Sequence, residues 1–347
     1  MHSIGNKHIH RADRIFVHKV SVIIPFFQCE PGILARALTS ITSQDIPDGW
    51  SLEVIVVDDG SPCPARDELA ALHFSDPLCL KLVCQENAGV AVARNRGLDE
   101  VDPFATLIAF LDSDDSWPQH HIANAMEACE RGFDFIFTDN RREPHHDSYM
   151  KDCAPRTMMV LTQSRNDGGF IAVPRSEMPS LIIEEFPVQA STVVYQRSIA
   201  PDLRFNTDLA ACGEDVLFMV ALASKAKNTC FNARTRVECG HGVNIFFGHF
   251  AWDNPSFMAI KQDQVRCHTL IAKLPDLSPH TLAYNAKRLR KLRTDFVFHT
   301  IRRTLKTKGK LPEETCHLAK ADRWFLVWFT GSLLRIMVTY SLGSYRP

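Results

Sequence analysis

A chain of 347 residues, 45% hydrophobic and 23% charged, has the composition of a globular protein with one large or two ordinary cores. Its formal net charge of −1 excludes the broad basic excess of a dedicated nucleic-acid binder. Eleven irregularly spaced cysteines without a C-x-x-C pair predict free thiols in a reducing, cytoplasmic setting, and the basic stretch 1–19 lacks the apolar centre of a secretory signal.

Val20 to Ile24 is a β-branched run stopped by Pro25, as in a buried strand leaving its sheet. Ile33, Leu34, Ala37, Leu38 and Ile41 then recur at helical spacing. The step repeats: Val54 to Val57 runs into Asp58-Asp59-Gly60-Ser61, with a helix-compatible stretch from Ala65 to Leu72. Leu80 to Val83 leads through Gln85-Glu86-Asn87-Ala88-Gly89 into a predicted helix over Val90 to Leu98 that carries Arg94 and Arg96. Thr106 to Leu111 ends in Asp112-Ser113-Asp114-Asp115, and a helix from Pro118 to Arg131 precedes a strand over Phe133 to Thr138. Such alternation predicts an α/β fold, a Rossmann-like, mostly parallel sheet with helices on both faces and its ligand at the carboxyl ends of the strands.

Asp58, Asp59, Asn87, Asp112, Asp114 and Asp115 all fall at those ends, which favours a binding rim over a solvated acidic loop. Clustered carboxylates are usual ligands of Mg²⁺ or Mn²⁺, and a cation held by few protein groups keeps substrate phosphates in its other positions. Neither G-x-G-x-x-G nor G-x-x-x-x-G-K-[ST] is present at the strand ends, so a dehydrogenase or P-loop enzyme is not expected.

Arg141 to Glu185 reads as a long irregular connection of the kind that forms a substrate loop or lid, and its His145-His146 pair fits solvated or acceptor-contacting histidines better than a metal site. A strand is predicted at Gln189 to Tyr195, followed by a buried helix entered through Glu214-Asp215. Those acids suit the positive end of a helix macrodipole as well as a catalytic site. In Cys239-Gly240-His241-Gly242 the glycines expose His241, a structural residue or a metal ligand. Lys287 to Lys310 has ten Lys or Arg against the single acid Asp295, with Leu289, Leu292, Phe296, Ile301 and Leu305 as an apolar stripe. The aromatic run Trp324 to Phe329 and the segment Leu333 to Tyr340 follow. This pairing suits attachment to an anionic cytoplasmic leaflet, or packing on the main domain.

Taken together, Val20 to Gln28, Val54 to Ser61, Gln85 to Leu98, Phe110 to Pro118 and Gly213 to Phe218 resemble family 2 glycosyltransferases of the GT-A fold. The texture of Glu30-Pro31-Gly32, Asp58 to Pro62 and Asp139 to Arg142 is similar to bacterial succinoglycan-type glucosyltransferases. The resemblance covers roughly residues 20 to 250 and implies a nucleotide-sugar-binding half (20–140), an acceptor half (141–250) and a helical C-terminal extension (251–347). It implies that Pro25, Phe27 and Asp59 bind the nucleoside, that Asn87 and Arg94 help hold the nucleotide, and that Asp112 serves indirectly. Asp114 and Asp115 match the ribose and metal carboxylates, Asp115 being the expected direct ligand, and Asp215 matches the general base of an inverting transfer. The implied partners are a UDP-sugar donor, with UDP-glucose expected, and a lipid-linked oligosaccharide acceptor at the inner face of the cytoplasmic membrane. Lys320-Ala321-Asp322-Arg323-Trp324 departs from the Q-x-x-R-W of processive synthases, which implies transfer of a single sugar. A sugar nucleotidyltransferase and a non-catalytic nucleotide-sugar-binding module are the competing readings.

Overall fold

The structure, a computed structural model, describes residues 18–70, 78–241 and 252–341, with side chains through 338. Most of the N-terminal extension, the end of the predicted helix Ala65 to Leu72, Gly242 to Asn244 and the last six residues lie outside the described residues. The first half alternates as the spacing predicts: β1 (His18–Phe26), α1 (Ile33–Thr42), β2 (Trp50–Asp59), α2 (Ala65–Leu69), β3 (Leu78–Gln85), α3 (Val90–Asp99), β4 (Leu107–Phe110), α4 (His121–Glu130) and β5 (Phe135–Arg141). There follow α5 (Tyr149–Cys153), α6 (Pro155–Gln163), β6 (Asn166–Asp167), β7 (Phe170–Val173), α7 (Met178–Glu185), β8 (Val193–Gln196), α8 (Glu214–Lys225) and β9 (Thr229–Glu238). The C-terminal helices are α9 (Phe257–Ile271), α10 (Pro279–Lys306), α11 (Glu313–Ala321) and α12 (Phe325–Ser341).

One nine-stranded sheet runs β3-β2-β1-β4-β8-β5-β9-β7-β6. β3, β2, β1 and β4 are parallel to one another, as are β5 and β9, whereas β8 lies antiparallel between β4 and β5 and β7 lies antiparallel to β9. Alternation along the strands divides the core. Val22 and Ile24 of β1 and Val54 and Val56 of β2 pack with α1 and α4 on one face. Ile23, Ile55 and Val57 face the other side, with residues of α3, α6, α7 and α8. Helices α9 to α12 add a third cluster around Phe257, Leu289, Phe296 and Trp328, with α9 docked on α8 and α10 on α7.

Four expectations are corrected. β1 does not stop at Pro25 but continues through it, pairing Pro25 with Val57 of β2. The Leu111 amide donates to the Ile23 carbonyl, so alternation turns the donor that Pro25 lacks toward the side where β4 has ended. The segment 141–185 is not irregular: Met178, Leu181 and Ile182 of α7 are buried, and β7 joins the sheet beside β9. Its polar residues mask short elements, each supplying only a few apolar side chains. The predicted strand over Gln189 to Tyr195 begins as a 3₁₀ turn at Ala190–Thr192. The stripe of α10 ends before Leu305, which is 76% exposed, because the last turn runs past the cluster.

Phe218 of α8 stacks on Phe205 with centroids 4.0 Å apart and meets Phe110 of β4 edge-on at 5.7 Å. Its burial ties the helix carrying Glu214-Asp215 to the strand carrying Asp112. Phe218→Ala is expected to lower stability by about 3–5 kcal/mol in urea unfolding. A loss below about 1 kcal/mol would show that this aromatic cluster does not hold the two halves together.

Candidate active site

The loop after β4 is held from three sides. The Ser191 hydroxyl donates to Asp115 Oδ2 at 2.6 Å and accepts from the Asp112 amide at 3.0 Å. The Gly240 amide donates to Asp115 Oδ1 at 2.8 Å, and Ser116 and Glu238 exchange both backbone hydrogen bonds. A Cβ on Gly240 would lie 2.0 Å from the Asp114 carbonyl oxygen, so only glycine permits this approach. Asp115 is 2% exposed. Burial, reinforced by the charges of Asp112 and Asp114, raises its carboxyl above the ordinary range. The expected direct metal ligand is therefore a buried acceptor that fastens the end of β9 to the acidic loop. Asp114 and His241 instead line one cleft of about 530 Å³ with Gln28, Cys29, Glu30 and Arg36.

Arg94 projects from α3 and is 5% exposed. Its guanidinium donates to Asp112 Oδ1 at 2.9 Å and to Glu214 Oε1 at 3.3 Å, and its Cζ lies 5.3 Å from the Phe205 ring centroid. Burial opposes its charge, but Asp112 and Glu214 more than offset that, so Arg94 stays cationic. It thus bridges two acidic elements. α8 precedes β9 and enters from the carboxyl edge of the sheet, so its first turn brings Glu214 and Asp215 to the same rim. Burial raises both carboxyls, with Arg94 acting in the opposite sense. The Arg94 contact alone would lower Glu214. Three carboxylates around one guanidinium leave excess negative charge, and burial makes that excess costly, so the upward direction is the physical one.

The other strand ends also serve the loops. Asp58 accepts from the amides of Ser61 and Ala65, closing the turn after β2. Asp59 accepts from the Gln85 side chain and from the Ala88 and Gly89 amides, fixing the turn that exposes Asn87. Gly60, at φ +69°, lets the Asn87 backbone pass where a Cβ would meet its nitrogen at 2.9 Å. Pro25 is buried in β1, and Phe27 just beyond it is half-buried. His146 is tied to Asn140 Oδ1 at 2.8 Å. Ser191 and Arg36, which donates to Ser116 Oγ at 3.2 Å, were not visible as site residues, because a lone Ser or Arg carries no spacing signal.

Asp114 and His241 offer an oxygen and a nitrogen donor in one cleft, and the bare Gly240 backbone keeps their segments together, so the residues fit a divalent cation. Among the described residues no three His, Cys, Asp or Glu side chains form a complete cage. A cation there would need oxygens from a bound ligand.

Residues 21–167 match the family model "Glycosyl transferase family 2". The succinoglycan biosynthesis protein ExoW of Rhizobium meliloti is 34% identical over 252 residues, covering 70% of this chain and 75% of that protein. The chain belongs to glycosyltransferase family 2. The putative teichuronic acid biosynthesis glycosyltransferase TuaG of Bacillus subtilis is 36% identical over 120 residues, 34% of this chain and 45% of that one. In fold, this family 2 enzyme matches residues 1–349 of S. aureus TarS in complex with UDP at a TM-score of 0.58 and 17% identity, covering 95% of this chain and 93% of that one. It spans 55% of the longer TarS chain. The mannosyltransferase PcManGT from Pyrobaculum calidifontis, in complex with GDP-Man and Mn²⁺, matches at a TM-score of 0.54 and 19% identity, covering 92% and 86%. The mixed sheet is thus the expected GT-A fold.

Removing the Arg94 cation leaves Asp112 and Glu214 uncompensated. Arg94→Met is expected to cost about 3 kcal/mol in chemical unfolding at neutral pH, the lower end of the buried-pair range because Asp112 is partly exposed to water. Protonation of Glu214 and Asp215, which burial already raises, relieves the excess negative charge, so the deficit should shrink as pH falls. A deficit that is small and independent of pH would show that Arg94 carries no structural charge balance.

Proposed function

We propose that this family 2 enzyme transfers one glucose from UDP-glucose to a lipid-linked oligosaccharide in exopolysaccharide assembly, inverting the donor to form a β-linkage at the inner face of the cytoplasmic membrane. The observation carrying this reading is the rim at which Arg94 joins the Asp112-Ser113-Asp114 loop to the Glu214-Asp215 helix start. A donor site and an acceptor-activating group must face each other across one anomeric carbon, and this bridge joins the loop and the helix start to which we assign those two roles. The relative ExoW by its name, and the TarS complexes with UDP and UDP-GlcNAc by theirs, support a nucleotide-sugar donor and a polysaccharide product.

Asp114 and His241 would hold Mg²⁺ or Mn²⁺ together with the donor diphosphate, and Arg36 lies in the same cleft to meet its negative charge. The bound cation supplies Lewis-acid stabilisation of the charge that develops on departing UDP. Asp112 acts indirectly, through Arg94. The Pro25–Phe27 end of β1 and Asn87, on the turn fixed by Asp59, border the nucleoside. Asp215 accepts the proton of the attacking hydroxyl. Glu214 is already engaged by Arg94 and positions its neighbour, while Asp215 accepts from the Val216 amide at 2.7 Å. A carboxyl raised by burial is a better base than an ordinary one, provided it is ionised.

Asp215→Asn is expected to lower turnover by about 10²–10⁴ with donor binding unchanged in calorimetry. Because only the ionised carboxylate accepts a proton, wild-type activity should rise with pH through a value above the ordinary Asp value of 3.8. Near-normal turnover of the variant on its true acceptor would remove Asp215 from this role. Stripping divalent ions should abolish UDP release and readdition of Mn²⁺ or Mg²⁺ restore it, with His241→Ala needing more metal for the same rate; full activity in chelator would overturn the cation site. The reaction itself is tested by offering UDP-sugars with extracted lipid-linked intermediates and reading UDP and product mass together. UDP release with a glycan one hexose heavier is expected, and pyrophosphate release would indicate nucleotidyl transfer instead.

A further inference from the structure

Helix α12 has two apolar faces, and the fold uses one. Phe325, Trp328 and Ile336 are buried in the cluster with α9 and α10. Leu326, Val327, Leu334, Met337 and Val338, at intervals that repeat with the helical turn, form an apolar stripe on the opposite side, each 56–73% exposed, broken at the exposed Thr330. Trp324, also exposed, sits at the start of this stripe with the Arg323 guanidinium 5.4 Å from its ring. Isolated exposed leucines need no explanation, but a one-sided stripe does.

The charge around the stripe identifies its partner. From Arg323 to Ser341 there is no Asp or Glu, whereas Lys320 and Arg323 precede the helix and Arg335 lies within it. Asp322, the nearest acid, is turned inward, accepting from the Trp328 indole at 2.8 Å and from Arg293 at 3.3 Å. A second copy of the chain is a poor occupant on area. The stripe is roughly 20 Å long and about 10 Å wide, on the order of 200 Å², against roughly 800 Å² per partner in a stable protein interface. It would also bring the same cations together across a two-fold axis. A bilayer needs no such area from one helix, because insertion of the apolar face is joined by attraction of Lys and Arg to anionic headgroups. No helix among the described residues is long and apolar enough to cross a membrane, which leaves α12 lying along the surface.

We propose that the outer face of α12, from Trp324 to Val338, docks the enzyme on an anionic lipid surface, lying in the interface with Leu326, Val327, Leu334, Met337 and Val338 toward the acyl chains. This deepens the reading of a lipid-linked acceptor and takes its purpose from it. The packed face holds α12 to α10, which is docked on α7 beside the helix bearing Asp215, so a membrane-bound α12 is tied through two helices to the one that opens at the rim.

The test is co-sedimentation of the full chain, without donor or acceptor, with vesicles of phosphatidylglycerol and phosphatidylcholine and with vesicles of phosphatidylcholine alone. Pelleting with the anionic vesicles is expected, weakening as salt rises. Leu326→Glu with Leu334→Glu should reduce it at least about tenfold while the unfolding midpoint stays at the wild-type value, since both side chains are exposed. Arg323→Glu should weaken binding to anionic vesicles with no effect on neutral ones. Wild-type pelleting by the double variant, absence of binding to either vesicle, or a wild-type dimer that the double variant converts to monomer would each overturn the proposal. UDP release on a detached, water-soluble acceptor is read separately, so failure of the membrane face and failure of the transferase reading are distinguishable.

Discussion

The buried guanidinium of Arg94 is the interaction on which the site depends. It lies between Asp112 at the end of β4 and Glu214 at the start of α8, two positions more than a hundred residues apart in sequence. A cation placed there must be charged, because a guanidinium does not give up its proton, and it must be paired, because an unpaired buried charge is prohibitively costly. The pairing therefore fixes the distance between the two acidic elements. It also leaves a surplus of carboxylate over cation, which adds to the burial that raises Glu214 and Asp215.

Around that bridge, several acids hold loops. Asp115 fastens Gly240 and Ser191, Asp59 fastens the Ala88-Gly89 turn, and Asp58 closes the turn before α2. Each carboxylate replaces a backbone partner that the loop could not supply, at the point where regular hydrogen bonding stops. The groups that reach the cleft, Asp114, His241 and Arg36, are held by these anchors. An acid-rich motif is thus divided by burial: the enclosed Asp115 builds the rim, and Asp114 lines the cleft.

The C-terminal helices extend this economy of faces. α10 buries Leu289, Leu292 and Phe296 while its cations stay outside, and α12 covers the same cluster with Phe325 and Trp328. Packing and surface attachment, which the aromatic sequence leaves open, are not alternatives for a helix with two apolar sides.

Periodicity alone settled the first half of the sheet. β-branched runs separated by helices at 3.6-residue spacing admit few arrangements other than parallel strands, and the polar clusters must then fall at one edge. The acid pair that opens α8 was legible for the same reason, since an apolar helix needs an N-terminal boundary. The antiparallel placement of β8, the short elements of 141–185 and the strand β9 were not, because each is defined by partners distant in sequence: β8 by β4 and β5, and β7 by β9. Nor could the order of residues tell Asp114 from Asp115. They share a loop, a charge and a side chain, and only the close approach of Gly240 and Ser191 buries one carboxylate and leaves the other facing the cleft.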